Sequence, residues 1–235
     1  MKIKTSEKDV LERFQALMNE TANTPSKVDV QNFVKKNFDL EGSEFEAWEP
    51  LDWKQTPKFL SKIKDQNCRE WATKLNLLWK FLGRKIKDDV RENPELYSII
   101  YVPHPLIIPG GRFREIYYWD SYWIIKGLLL SEMIETARGM IENFFHIVDI
   151  YGHIPNGGRI YYIMRSHPPL LLPMVQAYYE HTQDLEFVKK HINTMEMEFH
   201  FWMTNRTVKV EKDGKHYTLA RYKEASVGPR PESYR

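Results

Sequence analysis

Residues Pro109 to Trp123 read PGGRFREIYYWDSYW, and the rest of the chain is organised around them. Pro109, Gly110 and Gly111 make a turn in which glycine supplies the positive φ that a side chain would resist. Arg112, Arg114, Glu115 and Asp120 then place four charges among five rings, Tyr117, Tyr118, Trp119, Tyr122 and Trp123. Flat apolar faces beside fixed hydrogen-bonding groups suit a sugar. The C–H face of a pyranose packs on a ring, and its paired hydroxyls take bidentate partners such as guanidinium and carboxylate.

Outward from this stretch the composition narrows the function classes. Lys and Arg total 34 against 32 for Asp and Glu, a near-balance with no polyanion-binding signature, so no nucleic-acid partner is expected. Aromatic residues make up 14% of the 235 and concentrate around the stretch, which favours a ligand-lined interior. Cys68 is the single cysteine, so no intramolecular disulfide is possible, and it is read as a buried thiol. The first residues carry lysines without an apolar run behind them, unlike a signal peptide, and the apolar patches at 128–130 and 170–172 are too short to span a membrane. Two sequons, at Asn19 and Asn205, would permit glycosylation on a secretory route. The compartment is left open.

Periodicity predicts a helical chain. Apolar residues at 10, 11, 14, 17 and 18 mark a first helix with Ser6 as its N-cap, and Val30, Phe33 and Val34 mark a second over 28–37. Residues 39–52 read as a surface connection. A long helical zone runs from Pro57 to about Arg91, broken near 65–67 and ended by Pro94. The β-prone run 97–102 becomes an extended approach to the central stretch because Pro103 and Pro105 follow it. One helix is expected from Trp119 through about Val148, then a loop over 152–159, a helix over 170–179 and another over 185–203. Alternation around Asp213-Gly214 predicts a β-hairpin over 207–220. The fold class is all-α, helices in antiparallel pairs with little sheet, forming one domain over 1–235.

Pro109-Gly110-Gly111-Arg112-Phe113, then Glu115, Tyr118-Trp119-Asp120 and Tyr122 resemble the first signature of the α,α-trehalases, inverting glycoside hydrolases that split trehalose into two glucose units. Two later segments follow in the family's order: Pro155-Asn156-Gly157-Gly158-Arg159 with Arg165-Ser166, and Gly228-Pro229-Arg230-Pro231-Glu232-Ser233-Tyr234. The resemblance covers most of the chain from about Pro50. It implies an (α/α)6 toroid, of which this chain supplies about the first half of the helical pairs, leaving an apolar helical face without its neighbour.

Inverting glycosidases need a protonated and an ionised carboxyl about 6.5–9.5 Å apart, leaving room for the attacking water. In the family the acid lies in a Gly-Trp-Asp segment downstream of Arg-Pro-Glu-Ser, and the base near a Gln-Trp-Asp signature. Neither segment occurs up to Arg235, so no catalytic residue is assigned and the pair is expected beyond it. The resemblance implies sugar contacts from Arg112, Trp119, Asp120, Asn156, Arg165, Ser166, Arg230 and Glu232. His167 belongs to the set and stands where the family has Gln; imidazole can donate and accept like an amide but reaches less far and can become charged. The ligand is trehalose or a neighbouring glucose-containing disaccharide, with no cofactor and no metal. Bland readings compete: Asp120 as a helix N-cap, Asn156 as a turn residue, Trp119 and Trp123 as core, Glu232 as a solvated chain end. A sugar-binding chain without hydrolysis, and a fragment that folds poorly, are the alternatives to an enzyme.

Overall fold

The computed structural model describes residues 1–225, 227–228 and 230. In chain order the elements are α1 (Glu7–Glu20), α2 (Lys27–Asn37), β1 (Phe45–Ala47), α3 (Lys58–Lys62), α4 (Gln66–Leu82), β2 (Gly83–Ile86), α5 (Asp88–Glu92), β3 (Leu106–Ile107), α6 (Tyr118–Leu130), α7 (Ile134–Tyr151), α8 (Leu171–Thr182), α9 (Leu185–Asn205), β4 (Thr207–Lys212) and β5 (Lys215–Ala220). Contacts gather them into two compact units, residues 1–46 with 85–101 and residues 47–84 with 102–235.

The smaller unit carries α1 and α2. Ser6 accepts from the Asp9 N–H at 3.1 Å as the expected N-cap. Ser26 and Asp29 form a reciprocal capping box at the start of α2. Phe14 and Phe33 meet edge-on at 5.4 Å, so the two apolar faces touch there, while Leu11 and Val30 stay exposed. Pro94 opens a short 3-10 turn over Pro94–Leu96 rather than merely ending a helix.

The larger unit is built from α3, α4 and α6 to α9. Its core is drawn from α6 and α7: Tyr118, Ile125, Leu128, Met133, Ala137, Met140, Ile141, Phe144 and Val148 are all buried. The expected single helix over 119–148 is two. Glu132 takes a positive φ of 62° and the chain reverses at 131–133. Tertiary contacts hold this reversal against helix periodicity. The Trp79 indole N–H donates to Ser131 Oγ at 3.1 Å, and the Glu132 carboxylate accepts from the Lys58 N–H at 2.9 Å. Asp52 then accepts from the Thr136 N–H at 2.9 Å and caps the first turn of α7.

The helical zone expected over 57–91 ends early. The break at 63–65 falls beside the expected one, with Asp65 capping α4 at the Cys68 N–H, 2.7 Å. Beyond Leu82 the chain turns extended, and Gly83 and Arg84 pair antiparallel with Ile107 and Leu106. A Cβ on Gly83 would lie 2.0 Å from the Trp48 carbonyl oxygen, so the strand needs glycine there. Cys68 is exposed, not buried, because it lies in the first turn of α4 on the face that also leaves Trp71, Leu75 and Leu78 exposed. The same helix leaves Trp71, Leu75, Leu78 and Phe81 exposed, despite their apolar spacing.

The hairpin forms over the expected residues. Thr207 to Lys212 pair in register with Ala220 to Lys215, and Asp213 and Gly214 both take positive φ, as a two-residue primed turn requires. No helix among the described residues is long and apolar enough to cross a membrane.

Candidate sugar-binding site

Gly110 and Gly111 take φ of 101° and 58° and close a turn in which the Gly110 N–H donates to the Phe113 carbonyl at 3.1 Å and the Phe113 N–H to that of Gly110 at 3.0 Å. The turn projects Arg112 into the open, its guanidinium 5.0 Å from the Phe113 ring. Behind it the chain is anchored. Buried Glu115 pairs with Arg159 Nε, and the Tyr117 hydroxyl donates to Glu115 at 3.2 Å.

Backbone hydrogen bonds fasten this stretch to the later segment that resembles the family. The Tyr118 N–H donates to the Asn156 carbonyl at 3.2 Å, the Gly158 N–H to that of Ile116 at 2.9 Å, and the Asn156 N–H to that of Arg165 at 3.0 Å. A Cβ on Gly158 would sit 2.7 Å from an Ile116 methyl, so this approach requires glycine. Segments about 40 residues apart in sequence therefore share one small scaffold.

On this scaffold Asn156, Arg165, His167 and Trp119 form a connected cluster. Arg165 Nε donates to Asn156 Oδ1 at 3.2 Å, and its guanidinium lies 5.0 Å from the Tyr162 ring. Asn156 Nδ2 meets His167 Nε2 at 2.8 Å, while the Trp119 N–H points at His167 Nδ1 at 3.4 Å. Since Asn156 Oδ1 is occupied by the arginine, its amide donates to the imidazole. Two N–H groups thus face a ring that has one acceptor when neutral and none when charged. Burial pushes the His167 pKa down, with Arg165 adding to the effect and Asp120 opposing it. The neutral ring accepts from one of these two donors, and the charged ring would accept from neither.

Trp119 is 42% exposed and stands edge-on to Trp123 at 5.7 Å and tilted to His167 at 5.3 Å, so its face is open rather than core. Asp120 is half-buried at the third position of α6; the N-cap is Tyr117. Asp120 still lies where a carboxylate favours the positive end of the helix. Ser166 Oγ donates to the Ile154 carbonyl at 2.5 Å, which leaves its lone pairs as acceptors. Arg230 is exposed, and Glu232 lies outside the described residues. No metal-ligating group of His, Cys, Asp or Glu occurs among the described residues.

One participant, Glu198, was not singled out from the sequence; it meets Tyr118 of the central stretch. Tyr118 is fully buried; its hydroxyl donates to Glu198 Oε1 and accepts from the Leu170 and Leu171 N–H groups, both at 2.9 Å. Glu198 is fully buried too, and burial raises its pKa from 4.5 to about 7, with the Tyr118 hydroxyl and the nearby Trp202 indole N–H pulling the other way. The signal was legible: Phe187, His191, Met195, Glu198 and Trp202 follow a four-four-three-four spacing, which sets a carboxylate on an otherwise ring-rich stripe. A cavity of about 530 Å³ opens there, lined by Glu198 together with Ser166, His167, Leu172, Phe199, Trp202 and Met203. Arg112, Trp119 and Asp120 do not line that cavity.

Comparison with known proteins gives this arrangement its family. The sequence matches the Trehalase family over residues 1–235. It is 58% identical over 235 residues to a trehalase of Apis mellifera, covering 100% of this chain and 38% of that protein. It is 51% identical over 234 residues to a trehalase of Oryctolagus cuniculus, covering 100% of this chain and 40% of that one. Among solved structures, the neutral trehalase of Saccharomyces cerevisiae aligns over 55% of this chain and 24% of its own, at 32% identity and a TM-score of 0.47. The chain thus spans about two fifths of the length of the two relatives. Its helical architecture, its three glycine-bearing segments and its whole-length match agree: this chain belongs to the trehalase family.

Proposed function

We propose that this chain is the sugar-holding portion of an α,α-trehalase, a glycosidase that hydrolyses trehalose to glucose by an inverting acid/base mechanism, and that its helical pairs form part of an (α/α)6 ring as one domain. The observation that carries the reading is the hydrogen-bonded cluster of Asn156, Arg165 and His167 beside the open face of Trp119. Trp119 offers a glucose ring its flat face. Asp120 accepts from hydroxyls, Arg112 and Arg165 donate to oxygens, and Asn156 and His167 hold Arg165 and Trp119 in register. Ser166, Arg230 and Glu232 complete the shell.

No residue of 1–235 is assigned as acid or base. The residues named here bind and orient the disaccharide, leaving protonation of the glycosidic oxygen and activation of water to carboxyls outside this set.

The test is trehalose binding by calorimetry together with glucose release, on the 235-residue chain and its Arg112→Ala variant. Binding that weakens in the variant, without glucose release, is the expected result. Glucose release that disappears in the variant would show that a carboxyl within 1–235 acts catalytically. A folded chain with no affinity for trehalose would sink the reading.

A further inference from the structure

A hydroxyl has one proton and two lone pairs. At Tyr118 the lone pairs are taken by the Leu170 and Leu171 N–H groups at the start of α8, so the proton must find an acceptor elsewhere. Glu198 Oε1, brought from 80 residues away on α9, is that acceptor. Two runs of the candidate site leave this single hydroxyl in opposite directions. Trp119 and Asp120 follow Tyr118 directly, and Arg165, Ser166 and His167 precede Leu170 by a few residues.

A buried carboxyl is expensive to desolvate, and here the effect is visible in a pKa raised to about 7. Its second oxygen, Oε2, and the buried Trp202 Nε1 have no hydrogen-bond partner of good geometry. A leucine at this place on the stripe would avoid the penalty. A carboxyl kept in such surroundings needs a role that a leucine could not fill, and receiving the Tyr118 proton is one.

We infer that Glu198 is a positioning residue of the sugar-holding site, acting through the Tyr118 hydroxyl to fix Trp119 and Asp120 against the segment 165–171. The inference rests on the reading that these residues hold a glucose unit. Glu198 touches no sugar. It directs the hydroxyl proton away from α8, so that both lone pairs stay available to the two amides, and those amides hold the end of the 165–171 segment against the first turn of α6.

The experiment compares the 235-residue chain with Glu198→Gln, Glu198→Leu, Tyr118→Phe and the Glu198→Leu/Tyr118→Phe double variant. Trehalose affinity is read by calorimetry, and exchange at the Leu170 and Leu171 amides by NMR. Gln keeps a carbonyl acceptor of the same shape, so Glu198→Gln should stay within about threefold of the parent. Glu198→Leu and Tyr118→Phe should each weaken binding by about tenfold and speed exchange at both amides. The double variant should be no worse than either single one, because the pair acts as a unit. If Glu198→Leu does not fold, Tyr118→Phe set against Glu198→Gln carries the comparison. A parent chain that does not bind trehalose removes the functional reading and this inference with it. A parent that binds, with Tyr118→Phe or folded Glu198→Leu matching it in affinity and exchange, overturns the inference alone. So does a loss in Glu198→Gln as large as that in Glu198→Leu.

Discussion

Tyr118 and Trp119 are neighbours in the first turn of α6 and meet opposite surroundings. Tyr118 is fully enclosed and bonded to two other helices, whereas Trp119 is 42% exposed, its ring standing against those of Trp123 and His167. The same division runs through the whole stretch. Glu115, Ile116 and Tyr118 face inward and fasten it to 156–158 and α9, while Arg112, Phe113, Trp119 and Trp123 face outward. A motif of rings and charges is therefore two devices interleaved. One face builds the scaffold, and the other stands open to solvent, where the proposed sugar contacts Arg112 and Trp119 lie.

The largest expected effect tests the inward face. Tyr118→Ala should lower stability by about 3–5 kcal/mol in urea unfolding, through a cavity and an orphaned buried carboxyl and amides. An equal loss at Trp119→Ala would break the division.

Next comes pH. The folded chain keeps a proton on Glu198 that the unfolded chain releases between pH 4.5 and about 7. Stability should therefore fall as pH rises through that window, by up to about 3 kcal/mol, and level off above it. Glu198→Gln should flatten this part of the curve. A parent profile identical to that of the variant would remove the buried, proton-holding carboxyl from the scaffold face.

Glu115→Ala should follow, at about 1–3 kcal/mol, because it strips a buried partner from Arg159 and from the Tyr117 hydroxyl. The check is whether the thermal midpoint falls while the trehalose affinity of the folded chain does not change. The smallest stability effect is expected at Trp119→Ala, within about 0.5 kcal/mol, since an exposed ring gains little from folding. That same variant should weaken trehalose binding about tenfold by loss of the stacking face. Unchanged affinity would place the sugar elsewhere on the chain.

Much of this chain could be read from local pattern. The Ser6 cap, the break before α4, the Asp213-Gly214 hairpin and the helices at 171–182 and 185–205 all follow from residues within a few positions of one another. Caps, turns and a 3.6-residue period are short-range interactions, so the sequence carries them openly. The glycine-bearing segments that resemble the trehalases were legible for the same reason. The apolar run from 119 to 148 looked like one helix because nothing local opposes helix at Glu132. Its reversal is held by Trp79 and by the backbone at Lys58, more than 50 residues away. At Gly83 the chain leaves α4 for a strand instead of continuing as helix because Trp48 and Ile107 lie against it. Cys68 faces solvent because α4 presents that side outward. The largest gap was Glu198, whose place on a ring-rich stripe shows in the sequence but whose partner does not. The sequence by itself determined the all-α class, the Ser6 cap, the helices at 171–182 and 185–205, the hairpin and the family. Only the tertiary structure decided which face of the central stretch is buried and which acceptor receives the Tyr118 proton, because those outcomes depend on groups brought together across 40 to 80 residues of chain.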